Sequence, residues 1–108
     1  MTEEQATVDR GDHDGHPVVT VHGEVDMSNA EDVGRQIRAG GPLAGAVVLD
    51  LSDIQFFDSS GLYMLHRLHS EIEESGGELT VVTPPDTIVG RLLALTNLDT
   101  YLRVRPSR

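Results

Sequence analysis

The run FFDSSGL, Phe56 to Leu62, holds the side chains of this chain best placed to do chemistry. Two adjacent hydroxyls, Ser59 and Ser60, follow the carboxylate of Asp58 where an apolar run gives way to an amphipathic one. A serine in such a place can be a nucleophile, a first-turn helix residue or a phosphate acceptor. The nucleophile elbow is Gly-x-Ser-x-Gly, but Phe57 stands two residues before Ser59. His66 lies two helical turns further on, too far to activate Ser59 directly. A Walker cradle needs more glycines and a lysine. Here Gly61 stands alone, with no lysine nearby. Ordinary first-turn serines remain an open reading, because serine is common there.

Other groups have ligand-like spacing. His66, His69 and Glu73 fall at i, i+3 and i+7 of one helix, a pattern that zinc sites use and that a solvated helix face also produces. His13 and His16 stand with Asp12 and Asp14 in a turn-rich segment, which a surface loop explains. Glu71, Glu73 and Glu74 form a short acidic run that reads as solvent-facing. No metal or cofactor is assigned.

Local signals fix the helix behind Ser59. Asp58 can accept amide hydrogens of the first turn as N-cap. Phe57 and Leu62 have the spacing of a hydrophobic staple. At 100° per residue, Leu62, Met64, Leu65, Leu68 and Ile72 share one arc. Ser59, Tyr63, His66, Arg67, Ser70 and Glu74 lie opposite. Gly76 and Gly77 end the helix.

Alternating apolar and amphipathic stretches supply the frame. A short strand is expected over Gln5–Asp9, then a loose loop, RGDHDGH, and a strand from Val18 to about Gly23. Ser28 and Glu31 have capping-box spacing ahead of a helix with Ala30, Val33 and Ile37 on one stripe. Gly40, Gly41 and Pro42 stop it. AVVLDL, Ala46–Leu51, is an apolar run of the kind covered on both faces. ELTVVT is the next strand. PPDTIVGRLLALTN is a helix with prolines in its first turn, and YLRV is a last edge strand. Strand and helix alternate, so the expectation is α/β: one domain, a mixed sheet of four or five strands, flanking helices.

The 108 residues fit one domain, and 38% apolar with 4% aromatic content means a core of Val, Leu and Ile. A net charge of −10 disfavours nucleic acid and anionic membrane as partners. No cysteine is present, which fits a reducing compartment. No run reaches the ~18 apolar residues of a membrane span, and the acidic N-terminus is unlike a signal peptide. A cytoplasmic location is expected.

VVLDLSDIQFFDSSGLYML resembles the signature of bacterial anti-sigma factor antagonists, the STAS domain family. VVTVHGEVDMSNAEDV is similar to that family's second strand and first helix, and ESGGELTVVTPPDTIVGRLLALTNLDTYLRV to its final strand, helix and tail. The resemblance spans residues 5–105, taken as a single STAS-like domain, with 1–4 and 106–108 as flexible termini. It implies a non-enzymatic switch. The unphosphorylated antagonist binds an anti-sigma factor, often itself a serine kinase, and frees a sigma factor. Phosphorylation of the serine after the Asp, here Ser59, ends the interaction, and a serine phosphatase resets it. By position, the partner surface would comprise Asp26, Asp58, Ser59, Ser60, Gly61 and Tyr63. Many members have a second glycine where this chain has Tyr63, a departure that bears on partner choice. Two alternatives stand: a STAS module of a larger signalling scaffold or a transporter regulator, and a hydrolase using Ser59 or the His66, His69 and Glu73 set.

Overall fold

A computed structural model describes residues 5–41 and 43–108. The elements run β1 (Ala6–His13), β2 (His16–Val25), α1 (Ala30–Ala39), β3 (Ala46–Phe57), α2 (Ser59–Glu74), β4 (Glu78–Val82), α3 (Ile88–Leu95), a 3-10 turn (Leu98–Thr100) and β5 (Arg103–Arg105). The sheet order is β1-β2-β3-β4-β5. β1 is antiparallel to β2, and every later neighbour is parallel. The expected mixed α/β sheet is present, with five strands. Gly40 and Gly41 follow α1 as expected, and Pro42 lies outside the described residues.

The first hairpin is longer and tighter than the sequence led us to expect. The RGDHDGH segment is mostly strand, and only Asp14 and Gly15 turn, at φ 53° and 80°. Positive φ at both central residues is what a two-residue type I′ turn requires, and Asp-Gly is its favoured pair. Composition misled here: an edge strand tolerates charged residues, and Asp9, Arg10 and Asp12 are such residues.

β3 continues past Leu51 to Phe57, with a register shift against β2 that lets Asp53 pair with His22. Its odd positions Val47, Leu49 and Leu51 join Val33 and Ile37 of α1, Leu65, Leu68 and Ile72 of α2, and Val89 and Leu93 of α3 in one buried cluster. Each such aliphatic side chain contributes about 1.5–3 kcal/mol on burial. Ala46, Val48 and Asp50 face the other way, where no helix among the described residues covers them; past the register shift Ile54 rejoins the core. AVVLDL is therefore covered by helices on one face only, a correction to the two-sided expectation. On the second face, Val18, Val48, Thr80 and Arg103 form one cross-strand row, and Thr20, Asp50, Val82 and Arg105 the next. Arg108, in the 106–108 segment expected as a flexible terminus, reaches this face. Arg108 donates from Nε to Asp50 Oδ2 at 2.8 Å and from Nη2 to Thr20 Oγ1 at 2.8 Å. Residues 1–4 lie outside the described residues.

Helix starts differ in detail. α1 begins at Ala30, and its N-cap Asn29 makes no side-chain cap bond, so the Ser28–Glu31 capping box does not form. α3 is capped by Thr87, whose Oγ1 accepts from Gly90 N at 3.2 Å. Pro84 and Pro85 thus lie in the turn before the helix rather than in its first turn.

Candidate functional site

α1 and α2 lie side by side on the sheet, and a groove of about 510 Å³ runs between them. α1 contributes Ala30, Glu31, Gly34 and Arg38, and α2 contributes Ser59, Ser60, Tyr63, Met64 and Arg67. Met27, at the mouth, is 85% exposed.

The Ser59 end is held by local bonds. Asp58 Oδ1 accepts from Ser60 N at 2.9 Å, the expected cap. This ties Ser60 down and leaves it partly buried, whereas Ser59 is exposed. Phe57 is buried beneath the helix start and Leu62 packs against the core. Gly61, expected at the partner surface, is instead buried. A Cβ there would stand 2.6 Å from Phe57 Cε1 and Cζ. Its role is to admit the phenyl ring under the first turn.

The Asp26 turn frames the other side. Asp26 Oδ1 accepts from Ser28 N at 2.8 Å and from Ser28 Oγ at 2.5 Å. Asn29 Oδ1 accepts from Asp26 N at 2.9 Å, and Asn29 Nδ2 donates to the Glu24 carbonyl at 2.8 Å. The Ser28 hydroxyl, then the Ser28 and Asn29 amides, outweigh partial desolvation and hold the Asp26 carboxyl below its usual range. Ser28 therefore serves Asp26 rather than the helix. The closed turn projects Met27 outward.

The far end of the groove is cationic. Arg38 donates from Nε and Nη2 to both carboxylate oxygens of Glu71, each at 2.8 Å. That fork joins α1 to α2 and, with help from Arg67, pulls the Glu71 carboxyl below its usual range against partial desolvation. The Arg67 guanidinium sits 5.9 Å from the centroid of the Tyr63 ring, and Tyr63 is 64% exposed. The groove thus offers an accessible hydroxyl, an exposed Met and Tyr, and two guanidinium groups.

The structure brings Ser59, Ser60 and Tyr63 together in this groove, with Asp58 directly beneath and Asp26 one residue from Met27. Sequence reasoning missed Met27, Glu31 and Arg38 as groove residues and gave Arg67 no role. Arg67 had a signal, since it lies four residues after Tyr63 on the same helix. The α1 residues had none, because their position depends on how the two helices pack.

The histidines are distributed differently. His69 is 8% exposed, with its ring centroid 4.9 Å from that of Tyr101, so it does not belong to a solvated face. Its Nε2 lies 3.3 Å from Glu73 Oε1. His66 is near the same Tyr101, at 6.0 Å between centroids. Among the described residues, no three His, Cys, Asp or Glu are grouped to hold a metal ion, and no histidine lines the groove around Ser59.

Comparison with known proteins decides the family, for residues 8–105 match the description "Mlab, STAS domain". The chain belongs to the STAS domain family. It is 34% identical over 90 residues to an anti-sigma F factor antagonist of Paenibacillus polymyxa, covering 80% of this chain and 74% of that one. It is 30% identical over 71 residues to Osmosensory protein A of Mycobacterium tuberculosis, covering 66% of this chain but 45% of that protein. Among solved structures, that of an anti-sigma factor antagonist from Mycobacterium paratuberculosis superposes with a TM-score of 0.79. The two are 32% identical, and the match covers 94% of this STAS chain and 86% of the other.

Proposed function

We propose that this STAS domain is an anti-sigma factor antagonist whose binding is switched off by phosphorylation of Ser59. The unmodified chain binds an anti-sigma factor that is also a serine kinase, releasing a sigma factor. The kinase then modifies Ser59, the complex parts, and a serine phosphatase resets the switch in the cytoplasm. The observation that carries this reading is the exposure of Ser59 at the mouth of a groove, in a chain similar to named antagonists.

The physics of the switch lies at the interface. A phosphate adds roughly −1.5 to −2 charges. In the free chain it stays in water, at a helix start that favours an anion by about 0.3–1 kcal/mol. Under a docked partner it loses that water. Arg38 is already held by Glu71, so compensation there is incomplete. A penalty of ~3 kcal/mol exceeds a hundredfold in affinity. Tyr63 and Met27 supply the apolar contact, and the Asp26 turn and the Asp58 cap fix its shape.

Mass-spectrometric mapping of phosphate on the native protein, with capture of its partner, tests the proposal. Phosphate on Ser59 and a captured anti-sigma factor are expected. Full phosphorylation of a Ser59→Ala variant would refute the assignment.

A second reading has its own support. The matched region is 45% of Osmosensory protein A, so a STAS module within a larger signalling assembly is the alternative, distinguished by the size of the native complex. For a transporter regulator, no helix among the described residues is long and apolar enough to cross a membrane. A hydrolase panel run with and without zinc separates the enzyme reading.

A further inference from the structure

The sheet face away from the helices holds a second groove, of about 670 Å³, that shares no lining residue with the Ser59 groove. Its floor is aliphatic, from Val18, Ala46, Val48 and Val82. Its rim is cationic. Arg103, Arg105 and Arg108 all border it, and of its lining residues only Glu78 is acidic. The whole chain carries −10, whereas here three arginines meet two acids, Glu78 and the Asp50 that Arg108 holds, a local excess of positive charge.

The three arginines are not equally engaged. Arg108 is bonded to Asp50 and Thr20. Arg103 stands 3.8 Å from Glu78, a loose contact between half-exposed groups. Arg105 makes no ion pair among the described residues. Its backbone carbonyl accepts from Thr83 N at 2.9 Å, which fixes the strand while the side chain stays exposed. Cross-strand rows place Val48 level with Arg103, and Val82 beside Arg105. Apolar floor and cationic rim therefore repeat along the strand direction.

We propose that this helix-free sheet face, beside the point where Arg108 reaches Asp50 and Thr20, is a second docking surface, for an acidic protein segment that lies extended across the floor. Its carboxylates meet Arg103 and Arg105, and its apolar side chains rest on Val48 and Val18. Charge complementarity selects this occupant: Arg105 makes no ion pair among the described residues and Arg103 only a loose one at 3.8 Å, so the carboxylates of an extended segment find partners along β5 while its apolar side chains cover the aliphatic floor. Because the two grooves share no residue, the chain can hold this segment and a partner on the Ser59 groove at once. This inference does not depend on the Ser59 switch.

A peptide of alternating Glu and Val tests it, with a Lys and Val peptide as control, titrated into the labelled full chain and followed by amide chemical shifts. Saturable shifts at Val48, Thr80, Val82, Arg103 and Arg105 are expected with the acidic peptide alone, leaving Ser59, Tyr63 and Arg67 unmoved. The pair Arg103→Glu with Arg105→Glu should raise its Kd at least tenfold, and raising salt from 50 to 500 mM should weaken it. If that variant does not fold, Arg105→Gln alone should raise the Kd about threefold. No shift at millimolar peptide, equal binding by the variants, or shifts confined to the Ser59 groove would each overturn the proposal. So would capture by phosphatidylglycerol vesicles, lost in the variant, with no peptide binding, since that outcome assigns the face to a membrane.

Discussion

Replacing Gly61 by Ala tests how the Ser59 turn is seated. In an exposed helix this change gains up to about 1 kcal/mol, because Gly is the poorer helix former. Here the new methyl would stand 2.6, 2.6 and 2.8 Å from three atoms of the Phe57 ring, well inside van der Waals contact. Phe57 is 3% exposed, so its ring cannot swing into solvent. It must push into the core or lift the first turn of α2. Overpacking of this kind costs about 1–3 kcal/mol, and three close contacts to a rigid ring place it near the upper end. The net expectation is a loss of about 1–2 kcal/mol. At roughly 4–8 °C per kcal/mol for a domain of this size, the midpoint falls by roughly 4–16 °C. Urea unfolding measures the loss. Phe57→Leu in the same chain should relieve it, leaving a favourable coupling of at least about 0.5 kcal/mol in the double-mutant cycle. A Gly61→Ala protein as stable as its parent, or strict additivity with Phe57→Leu, would refute the seating role.

Phosphorylation of Ser59 should lower affinity for the anti-sigma partner more than a hundredfold while shifting the melting temperature little; calorimetric titration and thermal unfolding of both forms read the two effects, and melting of the domain by the phosphate sinks the interface mechanism. Tyr63→Ala should weaken partner binding and leave the melting temperature nearly unchanged, since the ring is exposed; a large drop in melting temperature would show that it supports the fold. His22 should give stability a pH dependence. Its Nδ1 lies 2.6 Å from Asp53 Oδ2 and its Nε2 3.0 Å from Asp9 Oδ2. The Asp53 bond, opposed by desolvation and aided by Asp9, raises its pKa above the ordinary 6.5. The folded state therefore binds the proton more tightly. The contribution is full below 6.5 and is lost as pH rises through the raised folded value. The urea midpoint of the parent should exceed that of His22→Gln at pH 6, and the gap should close by pH 9; a constant gap contradicts the bridge.

Signals that act over a few residues were legible in the sequence. The Asp58 cap, the apolar arc of α2 and the outward Tyr63 follow from helix geometry and short-range bonding. The apolar runs at Val18, Ala46 and Leu79 located three strands. What was not legible depends on contacts distant in sequence. The charged second half of β1 becomes strand only because β2 pairs with it. SDIQFF continues β3 because a register shift against β2 absorbs its polar residues. His69 is buried because Tyr101, 32 positions later in the chain, folds back onto it. Ser28 looked like a helix cap, yet the neighbouring Asp26 carboxylate takes its hydroxyl. The groove itself belongs to neither helix alone, so only its α2 half could be anticipated.

The strand order β1-β2-β3-β4-β5 also governs how the domain comes into being. Every strand pairs with its immediate predecessor in the chain, so no strand must insert between two that have already formed. Each step closes one hairpin or one crossover, and the closure entropy grows only slowly with such lengths. A nascent chain can therefore build the sheet outward from its first hairpin in the order of synthesis, with one growing edge exposed at a time. β5, only three residues long, closes that edge last, and a chain stalled before it would present β4 unpaired to its neighbours.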